Sequence, residues 1–486
     1  MKLKESTRVL VIGAGLAGLA TALRLQQAGA QVTILEKNKH PGGKLQEHKA
    51  AGYRWDMGPS LLTMPFVLED LFKDLGLTLE NYLTLKEVNP ICRYFWDDGQ
   101  IINEDAAFFR RPDVSSFLKY CAGIYDLSAE AFLMHPPEDF WKAFQPRHWR
   151  KLKHLPKVAT FKTLAEKVNA HFSDPKLRQL FQRFATYNGS NPAQTPATFN
   201  VIPYVEAHYG GWYADGGMAR IPEVLTKIAL ERGVTIRYDS EVIRCDGRSV
   251  LTKDEKTYQA DLFVVNGDAI RAYRDWLRVP GHRKQSKKMS GKELSLSGFV
   301  MLLGVARRYP QLAHHNIFFS RDYDREFQQL FKEKCFPCDP TIYVSITART
   351  NPDHAPAGED NYFVLVNAPS NTHTIDWVKQ SPSFAEAIIR RLDEHGLNDL
   401  SNHITYQHLF TPADFASRDV STEGALYGWA SHSPLTALRR PPLQSPDHDS
   451  LYFVGGTTHP GGGIPLVLLS ARMVVDKILK SHGSSS

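Results

Sequence analysis

The feature that most constrains this chain is the segment RVLVIGAGLAGLATALRLQQAGAQVTILEKN near its N-terminus. It opens with a run of β-branched residues and leucine, turns on Gly13, Gly15 and Gly18, and continues with leucines spaced for one helix face. A second strand pattern ends at Glu36, 18 residues after Gly18, where dinucleotide-binding folds place a carboxylate against a ribose 2′-hydroxyl. The segment therefore predicts a strand, a tight turn and a helix whose N-terminus faces a pyrophosphate.

The three glycines have different physical roles in such a unit. Gly13 makes the tight turn, Gly15 lets the backbone approach the pyrophosphate, and Gly18 permits close packing of the helix on the sheet. Glu36 at a ribose 2′-hydroxyl would repel a 2′-phosphate, which disfavours NADP and leaves FAD and NAD. A glycine-rich turn without any ligand is the alternative, and the completeness of the unit disfavours it.

Two further tight turns distinguish between the remaining cofactors. The first is PGG at 41–43, just beyond Glu36, and the second is DMGPS at 56–60. A domain that binds NAD usually passes from its second strand directly into a helix. The additional turns predict a larger cofactor whose second half runs past this edge of the sheet, so FAD is the expected cofactor.

The length of the chain indicates more than one domain. A chain of 486 residues exceeds the usual size of a single hydrophobic core, and 42% hydrophobic with 23% charged residues is typical of a globular protein. Later segments, a helix pattern at 221–231 and a strand pattern in DLFVVNGDA at 261–269, belong by type with the N-terminal unit. We predict an α/β fold, in which a discontinuous Rossmann-type FAD-binding domain formed by 1–75, 205–295 and 405–486 carries an inserted α+β domain, formed by 76–204 and 296–404, that binds substrate and associates with membranes.

A strand-rich block spans about 295–368 and contains SLSGFVMLLGVA, TIYVSITA and NYFVLVNAP. It predicts a sheet with few charges on one face, which would suit the wall of a long apolar cavity. An ordinary half-buried sheet without any ligand explains the same pattern.

The apolar runs and the cysteines bear on the location of the protein. The richest apolar run, GFVMLLGVA at 298–306, is far shorter than the roughly 18 residues that a spanning helix needs. The N-terminus leads directly into a strand and leaves no room for a signal peptide. The five cysteines form no even-numbered framework, and CFPC at 335–338 is interpreted as two ordinary loop cysteines with no metal. We therefore expect a cytoplasmic protein.

The segment WKAFQPRHWRKLKHLPK at 141–157 has the most uneven charge in the chain. It contains six lysine and arginine residues and no acid, interleaved with aromatic side chains. This mixture suits a segment that enters the headgroups of an anionic membrane surface. A solvated face with partly buried rings and a site for single-stranded nucleic acid are the alternatives. We favour the membrane surface and expect no nucleic-acid partner.

The stretch LYFVGGTTHPGGGIPLVLLSARMVVDKIL at 451–479 resembles the C-terminal signature of the bacterial-type phytoene desaturase family, the FAD-dependent carotenoid dehydrogenases. The chain is most similar to the branch that introduces a 3,4 double bond into 1-hydroxylated carotenoids, through ATYNGSNP and WDMGPSLLTMP. Further segments that share the resemblance are VIGAGLAGLA, GYRWDMGPSLLTMP at 52–65, RFATYNGSNPAQTPAT at 183–198, GGWYADGGMARIP at 210–222, DPTIYVS at 339–345 and GALYGWA at 424–430.

The resemblance implies the flavoprotein fold that amine oxidases share with GDI-like proteins, FAD as the only cofactor, and a tunnel for a C30–C40 polyene. It implies a peripheral position on the inner face of the cell membrane and desaturation of a carotenoid, with oxygen or a quinone as the electron acceptor. Isomerisation or oxygenation of a carotenoid remains open within the family. A soluble amine or amino-acid oxidase and a prenyl-tail carrier without flavin chemistry are the alternatives outside it.

The C-terminal loop is expected to lie against the flavin ring, with a helix that begins near Pro465 and directs its positive end at the reduced ring. His459 is the titratable side chain of this loop and the candidate catalytic residue, although a histidine that fixes the turn explains it equally well. Lys44 stands where many relatives have arginine and lacks the planar fork of that residue. The predicted cofactor contacts are Gly13, Gly15, Leu16, Ala17, Gly18, Glu36, Lys37, Gly42, Gly43, Lys44, Gly58, Pro59, Ser60, Val242, Gly455, Gly456, Gly463 and Ile464.

Overall fold

The computed structural model describes residues 2–129, 133–136, 162–370, 375–419, 421–433 and 440–483. The basic and aromatic segment 141–157 lies outside these ranges. No helix within the described ranges combines the length and the apolar character needed to cross a membrane.

The described strands, in chain order, are β1 (Arg8–Ile12), β2 (Gln31–Leu35), β3 (Glu47–Ala50), β4 (Tyr53–Asp56), β5 (Leu85–Glu87), β6 (Arg93–Phe95), β7 (Ile101–Asn103), β8 (Trp212–Ala214), β9 (Thr235–Arg237), β10 (Val242–Cys245), β11 (Ser249–Thr252), β12 (Thr257–Gln259), β13 (Leu262–Val265), β14 (Ser297–Val305), β15 (His315–Phe318), β16 (Ile342–Ile346), β17 (Asp360–Ala368), β18 (Ile404–Phe410) and β19 (Leu451–Phe453). The described α-helices are Leu16–Gln27, Phe66–Asp74, Ala106–Phe109, Pro112–Ser128, Leu164–His171, Pro175–Gln182, Val201–Tyr209, Arg220–Glu231, Ala269–Arg271, His282–Met289, Tyr323–Gln328, Trp377–Glu394, Leu400–His403, Pro412–Arg418 and Ile464–His482.

A parallel sheet of five strands, in the order β19-β13-β1-β2-β9, forms the Rossmann-type part of the molecule. Its strands come from the beginning, the middle and the end of the chain. The central strands are almost wholly buried, as expected for a parallel sheet that is covered on both faces. The helices Leu16–Gln27, Arg220–Glu231 and Ile464–His482 contribute to one apolar core with this sheet. The strand-turn-helix-strand prediction for the N-terminal segment is confirmed.

A second, mixed sheet has seven strands in the order β18-β14-β17-β16-β15-β6-β7. It contains the strand-rich block predicted at 295–368. The nine residues of β14 are all buried, and the Phe299 ring stacks on Trp377 of the helix Trp377–Glu394, which covers one face of the sheet. The strand Ile404–Phe410 pairs with β14 in this sheet. The predicted boundary had placed residues from 405 onward with the cofactor-binding segments. The backbone pairing with β14 instead places this strand in the second sheet.

Candidate functional site

The two glycine-rich loops lie side by side because β1, β13 and β19 are neighbours in the parallel sheet. Their carboxyl ends therefore meet at one edge, where open α/β sheets bind their ligands. Asn266 follows β13 at this edge. Its Oδ1 accepts a hydrogen bond from the Gly18 backbone N–H at 2.9 Å, and its Nδ2 donates to the Val454 carbonyl at 3.2 Å. Sequence reasoning did not select Asn266, which fastens the N-terminal loop to the C-terminal one.

The atoms around each of the three N-terminal glycines leave no space for a side chain. A Cβ at Gly13 would lie 2.3 Å from the Asn266 carbonyl oxygen, and one at Gly15 would lie 2.8 Å from Asn266 Oδ1. A Cβ at Gly18 would lie 2.2 Å from the Gly13 carbonyl oxygen. Gly13 also has a φ of +104°, in a region that favours glycine. The loop thus keeps bare backbone at the N-terminus of the helix Leu16–Gln27, which fits a bound pyrophosphate.

Replacing Asn266 with alanine is expected to weaken FAD binding about fivefold, because one net hydrogen bond contributes about 1 kcal/mol and the two loops would lose their link. The affinity is measured by titrating the protein freed of flavin with FAD. Asn402→Ala serves as the control, since Asn402 is exposed and its side chain donates to the nearby Asp399. Equal affinities of the two variants would contradict this role of Asn266.

Glu36 is buried at the end of β2, and its two carboxylate oxygens bind backbone N–H groups of the neighbouring turns. Oε2 accepts from Ala14 at 2.7 Å, and Oε1 accepts from Asn38 at 2.8 Å. Burial raises the pKa of the Glu36 carboxyl above its ordinary value. The carboxylate thereby holds the first glycine loop against the end of β2. Its contact with a ribose hydroxyl stays a prediction.

A cavity of about 1280 Å³ extends from these loops into the second sheet. The structure brings the predicted cofactor contacts together around it, although their contact with the cofactor itself stays a prediction. Gly18 is the exception, because it packs beneath the loop against Gly13 and Asn266. The predicted residues that line the cavity are Gly13, Gly15, Leu16, Ala17, Glu36, Lys37, Gly42, Gly43, Lys44, Gly58, Pro59, Ser60, Val242, Gly455, Gly456, Gly463 and Ile464.

Lys44 lines the cavity and makes a hydrogen bond that the sequence did not predict. Its Nζ donates a hydrogen bond of 2.6 Å to the carbonyl of Leu426, which links the turn at 41–43 to a distant loop. Burial lowers the pKa of the Lys44 ammonium. The side chain therefore helps to hold the loop that contains Leu426.

The C-terminal loop leads into the helix Ile464–His482, and the predicted helix start near Pro465 is confirmed. Gly455 and Gly463 have φ values of +117° and +111°, which explains why glycine occupies these positions. Arg440, missed by sequence reasoning, donates from Nη1 to the carbonyls of Tyr427 and Gly456 at 3.1 Å each. Burial lowers its pKa to about 10, so the guanidinium stays charged at neutral pH.

The candidate catalytic residue His459 does not line the cavity. The side chain is buried, and its Nε2 donates a 3.0 Å hydrogen bond to the His135 carbonyl. This contact supports the alternative that His459 fixes the turn. A direct catalytic role would require contact with reacting atoms, which this position does not offer.

The other half of the cavity is lined mainly by apolar side chains. One face of the second sheet forms its floor, opposite the face that packs against the helix Trp377–Glu394. The expectation that the strand-rich block would wall an apolar cavity is confirmed. The principal apolar lining residues are Leu61, Met64, Ile91, Phe199, Ile202, Val205, Val300, Ile317, Phe363, Leu365 and Leu466.

A buried polar group, here called the Arg183 cluster, lies beside this apolar half and consists of Arg183, Tyr94, Glu104, Tyr187 and Glu206. The Arg183 Nη2 lies 3.5 Å from Glu104 Oε2 and 3.6 Å from Glu206 Oε1. Tyr94 donates to Glu104 and Tyr187 donates to Glu206. Burial and the neighbouring Glu206 raise the pKa of Glu104 to about 8. One arginine thus faces two carboxyl groups, of which one holds a proton at neutral pH.

The pH dependence of folding stability should reveal this protonated carboxyl. Between its ordinary pKa of 4.5 and its folded pKa of about 8, Glu104 holds a proton in the folded chain only, so the wild type loses stability as the pH rises through this window. Glu104→Gln removes that loss and keeps a hydrogen-bond acceptor. Its stability relative to the wild type should rise by on the order of 2 kcal/mol from about pH 5.5 to about pH 7.5. Denaturant unfolding measures the difference, and a constant difference would contradict the assignment.

Comparison with known proteins places the chain among flavoproteins. A family model described as flavin containing amine oxidoreductase matches residues 16–479. The chain is 36% identical to the 4,4′-diapolycopene oxygenase of Methylomonas sp, with 99% of each chain covered. It is 35% identical to the 1-hydroxycarotenoid 3,4-desaturase of Flavobacterium sp. (strain P99-3), with 97% of this chain and 99% of the relative covered. It is 32% identical to the 4,4′-diaponeurosporene oxygenase of Staphylococcus haemolyticus, with 97% of both covered.

Solved structures share the fold at lower identity. An oxidoreductase from Methanosarcina mazei superposes with a TM-score of 0.66 at 16% identity, covering 96% of this chain and 100% of that one. A variant of putrescine oxidase superposes with a TM-score of 0.64 at 14% identity, covering 98% and 100%. At these identities the likeness shows the fold alone.

Proposed function

Because the chain belongs to the flavin containing amine oxidoreductases, and within them to the family of carotenoid desaturases and oxygenases, we propose that it desaturates a long carotenoid. It is an FAD-dependent oxidoreductase. The proposed reaction is the 3,4-desaturation of a 1-hydroxylated carotenoid, with phytoene-type desaturation as the broader form. The observation that carries the proposal is a continuous cavity that joins both glycine-rich loops to a long apolar wall.

The residues at the sheet edge fit FAD because they leave bare backbone and a helix N-terminus on the cavity. Gly13 and Gly15 would hold the pyrophosphate, Glu36 the adenosine ribose, and Gly455 with Gly463 the ring. When bound, FAD supplies an acceptor for the hydride that leaves an allylic carbon. Arg440 keeps the C-terminal loop in place through the Gly456 carbonyl.

The apolar half of the cavity positions the substrate and excludes water from it. A polyene offers no polar group at its reacting carbons, so the enzyme must hold it by shape against side chains such as Val300, Phe363 and Leu365. The C–H next to a carbon that is losing hydride is strongly acidic, and a weak base suffices to remove its proton. A conventional catalytic triad is therefore not required for this reaction.

Oxygenation of a carotenoid is the second candidate function. Two of the relatives above are named as oxygenases of diapolycopene and diaponeurosporene, at 36% and 32% identity. These identities are similar to that of the relative named as a desaturase. Both reactions need a polyene held in the same cavity, and they differ in whether the product gains oxygen.

An amine or amino-acid oxidase would need a free charged group to anchor its substrate. Among the described lining residues from 183–205 and the second sheet, Arg183 is the one with a permanent charge. That charge is already countered by Glu104 and Glu206. This part of the cavity therefore favours an uncharged substrate over an amine or amino acid.

A substrate dissolved in lipid also motivates the proposal that 141–157 attaches the protein to the inner face of the cell membrane, where oxygen or a quinone receives the electrons. Replacing the six lysine and arginine residues of this segment with glutamine should abolish binding to anionic vesicles, because the attraction amounts to about 1 kcal/mol per cation. Flotation with anionic and with neutral vesicles measures the binding. Undiminished flotation of the variant would favour the solvated-face alternative.

The proposed function is tested by expressing the chain in a host that is supplied separately with phytoene, lycopene and 1-hydroxylated carotenoids. Analysis of the extracted pigments should show additional double bonds with the 1-hydroxylated carotenoid. The variant Gly15→Val/Glu36→Arg, which disrupts the pyrophosphate and ribose sites, is the inactive control. If the double variant converted the carotenoid as well as the wild type does, the role assigned to the dinucleotide loop would be wrong.

A further inference from the structure

One wall of the apolar cavity half contains a fixed histidine. His315 on β15 and Tyr343 on the neighbouring β16 both line the cavity. The Tyr343 hydroxyl lies 2.8 Å from His315 Nδ1 and 2.5 Å from Ser60 Oγ, within hydrogen-bond distance of both. Ser60 belongs to the turn at 56–60. This chain of contacts fixes the orientation of the imidazole from the cofactor side of the cavity.

The fixed imidazole leaves one ring nitrogen unsatisfied. His315 is 2% exposed, and its Nε2 has no hydrogen-bond partner in the described part of the chain. Arg183 is 7% exposed, lines the same cavity, and its Nε likewise lacks a partner among the described residues. Arg183 donates to the hydroxyl of Tyr94 on β6, and β6 pairs directly with β15, which begins at His315. Buried polar groups without partners are costly, so two of them on one cavity wall indicate a polar atom of a ligand.

The charges around the two unpaired groups restrict the kind of polar atom that the ligand places there. The Arg183 cluster already counters the positive charge of Arg183, because one of its two carboxyl groups is ionised at neutral pH while Glu104 holds a proton. Burial, together with the nearby His314 and Arg183, holds the pKa of His315 well below its usual range, so the imidazole is neutral. A carboxylate would be repelled by the ionised carboxyl group of the cluster, and an ammonium group would be repelled by the guanidinium. An uncharged oxygen suits both unpaired groups, since the Arg183 Nε–H donates and a neutral imidazole nitrogen either donates or accepts.

We propose that His315 and Arg183 bind the hydroxyl or carbonyl oxygen at one end of the polyene, so that this chain selects carotenoids that already carry oxygen. The inference rests on the proposed function of the same cavity and assigns the residues that recognise the oxygen of the substrate. It also makes His315 a specificity residue, which contacts the oxygen of the substrate and not the carbons that react.

The test compares binding of four polyenes of equal conjugation length to the FAD-loaded protein in detergent micelles: a hydrocarbon, a 1-hydroxylated compound, a terminal aldehyde and a terminal carboxylic acid. Affinity is followed by quenching of protein fluorescence. We expect the hydroxylated compound or the aldehyde to bind at least about tenfold more tightly than the hydrocarbon, and the acid to have no such advantage. The preferred compound identifies the source of the oxygen. Equal affinity for the hydrocarbon, or strongest binding of the acid, would overturn the inference.

Variants at two adjacent histidines separate recognition from structure. His315→Phe should reduce the preference for the oxygenated compound to less than about threefold, and His315→Gln, which keeps a polar group, should retain part of it. His314→Phe is the matched control, because His314 directly precedes β15 and is also buried but does not line the cavity, and its ring packs edge-on against Tyr213. An unchanged preference in His315→Phe would contradict the assignment.

Turnover of the same samples distinguishes this inference from the proposed function. Selective binding without any new double bond would contradict the proposed desaturation and would still support the oxygen-binding site. Desaturation of hydroxylated and hydrocarbon polyenes with equal affinity would support the function and overturn the site.

Discussion

Gly15→Val is expected to fold and to contain less than about a tenth of the FAD that the wild type holds. A Cβ at this position would lie 2.8 Å from Asn266 Oδ1, and the two further methyl groups would occupy the space that a pyrophosphate needs. Overpacking of this kind costs about 1–3 kcal/mol, and exclusion of the phosphates adds to that cost, so FAD affinity should fall on the order of 100-fold. Desaturation should fall in proportion to the flavin content.

The measurement is the amount of flavin released per chain from the purified variant, with circular dichroism as the test of folding. Gly123→Ala is the matched control, since Gly123 lies in the helix Pro112–Ser128 and a Cβ there has no atom within 4 Å. That variant should keep its flavin and gain slightly in stability, because alanine favours the helix. A folded Gly15→Val protein with full flavin content would contradict the assignment of the N-terminal loop.

Arg183→Met is expected to lower the free energy of unfolding by about 3–5 kcal/mol. Removal of one partner from a buried ionic group leaves the remaining charge without compensation, and here two carboxyl groups, Glu104 and Glu206, would face each other. The guanidinium also lies 4.5 Å from the centre of the Phe184 ring, which methionine replaces with a weaker contact. Among the residues beside the apolar half of the cavity, Arg183 is therefore the one whose replacement should lower the free energy of unfolding most.

Denaturant unfolding of Arg183→Met, and of the same variant combined with Glu104→Gln, measures this effect. The second change removes one of the two facing carboxyl groups, so the double variant should recover on the order of half of the lost stability. If Arg183→Met were as stable as the wild type, the Arg183 cluster would not be the buried ionic group described above.

The parts of the site that the sequence predicted are those that depend on local geometry. Gly13, Gly15 and Gly18 sit at a spacing that a tight turn under a helix requires, and the contacts that a Cβ would make at each position show why no other residue fits. The helix start near Pro465 was predictable for the same reason, since proline is favoured in a first helical turn.

The parts that the sequence did not predict depend on contacts between distant segments. Asn266 is identified only once β13 is known to lie between β1 and β19. Arg183 and Glu104 are 79 residues apart, and no spacing rule connects them. His459 was selected as the titratable side chain of its loop, but only the fold shows that it faces His135. The position of Asn266 directly after a buried apolar strand, at the sheet edge where ligands bind, was the signal available for it.

The most direct test of desaturation by the FAD-loaded chain is mass spectrometry of the product formed from a 1-hydroxylated carotenoid in liposomes under ¹⁸O-labelled oxygen. The account predicts a product that has lost two hydrogen atoms per new double bond and contains no labelled oxygen. Incorporation of the label into the carotenoid would contradict desaturation and assign the oxygenase reaction, and an unchanged carotenoid in the presence of flavin-loaded protein would contradict both.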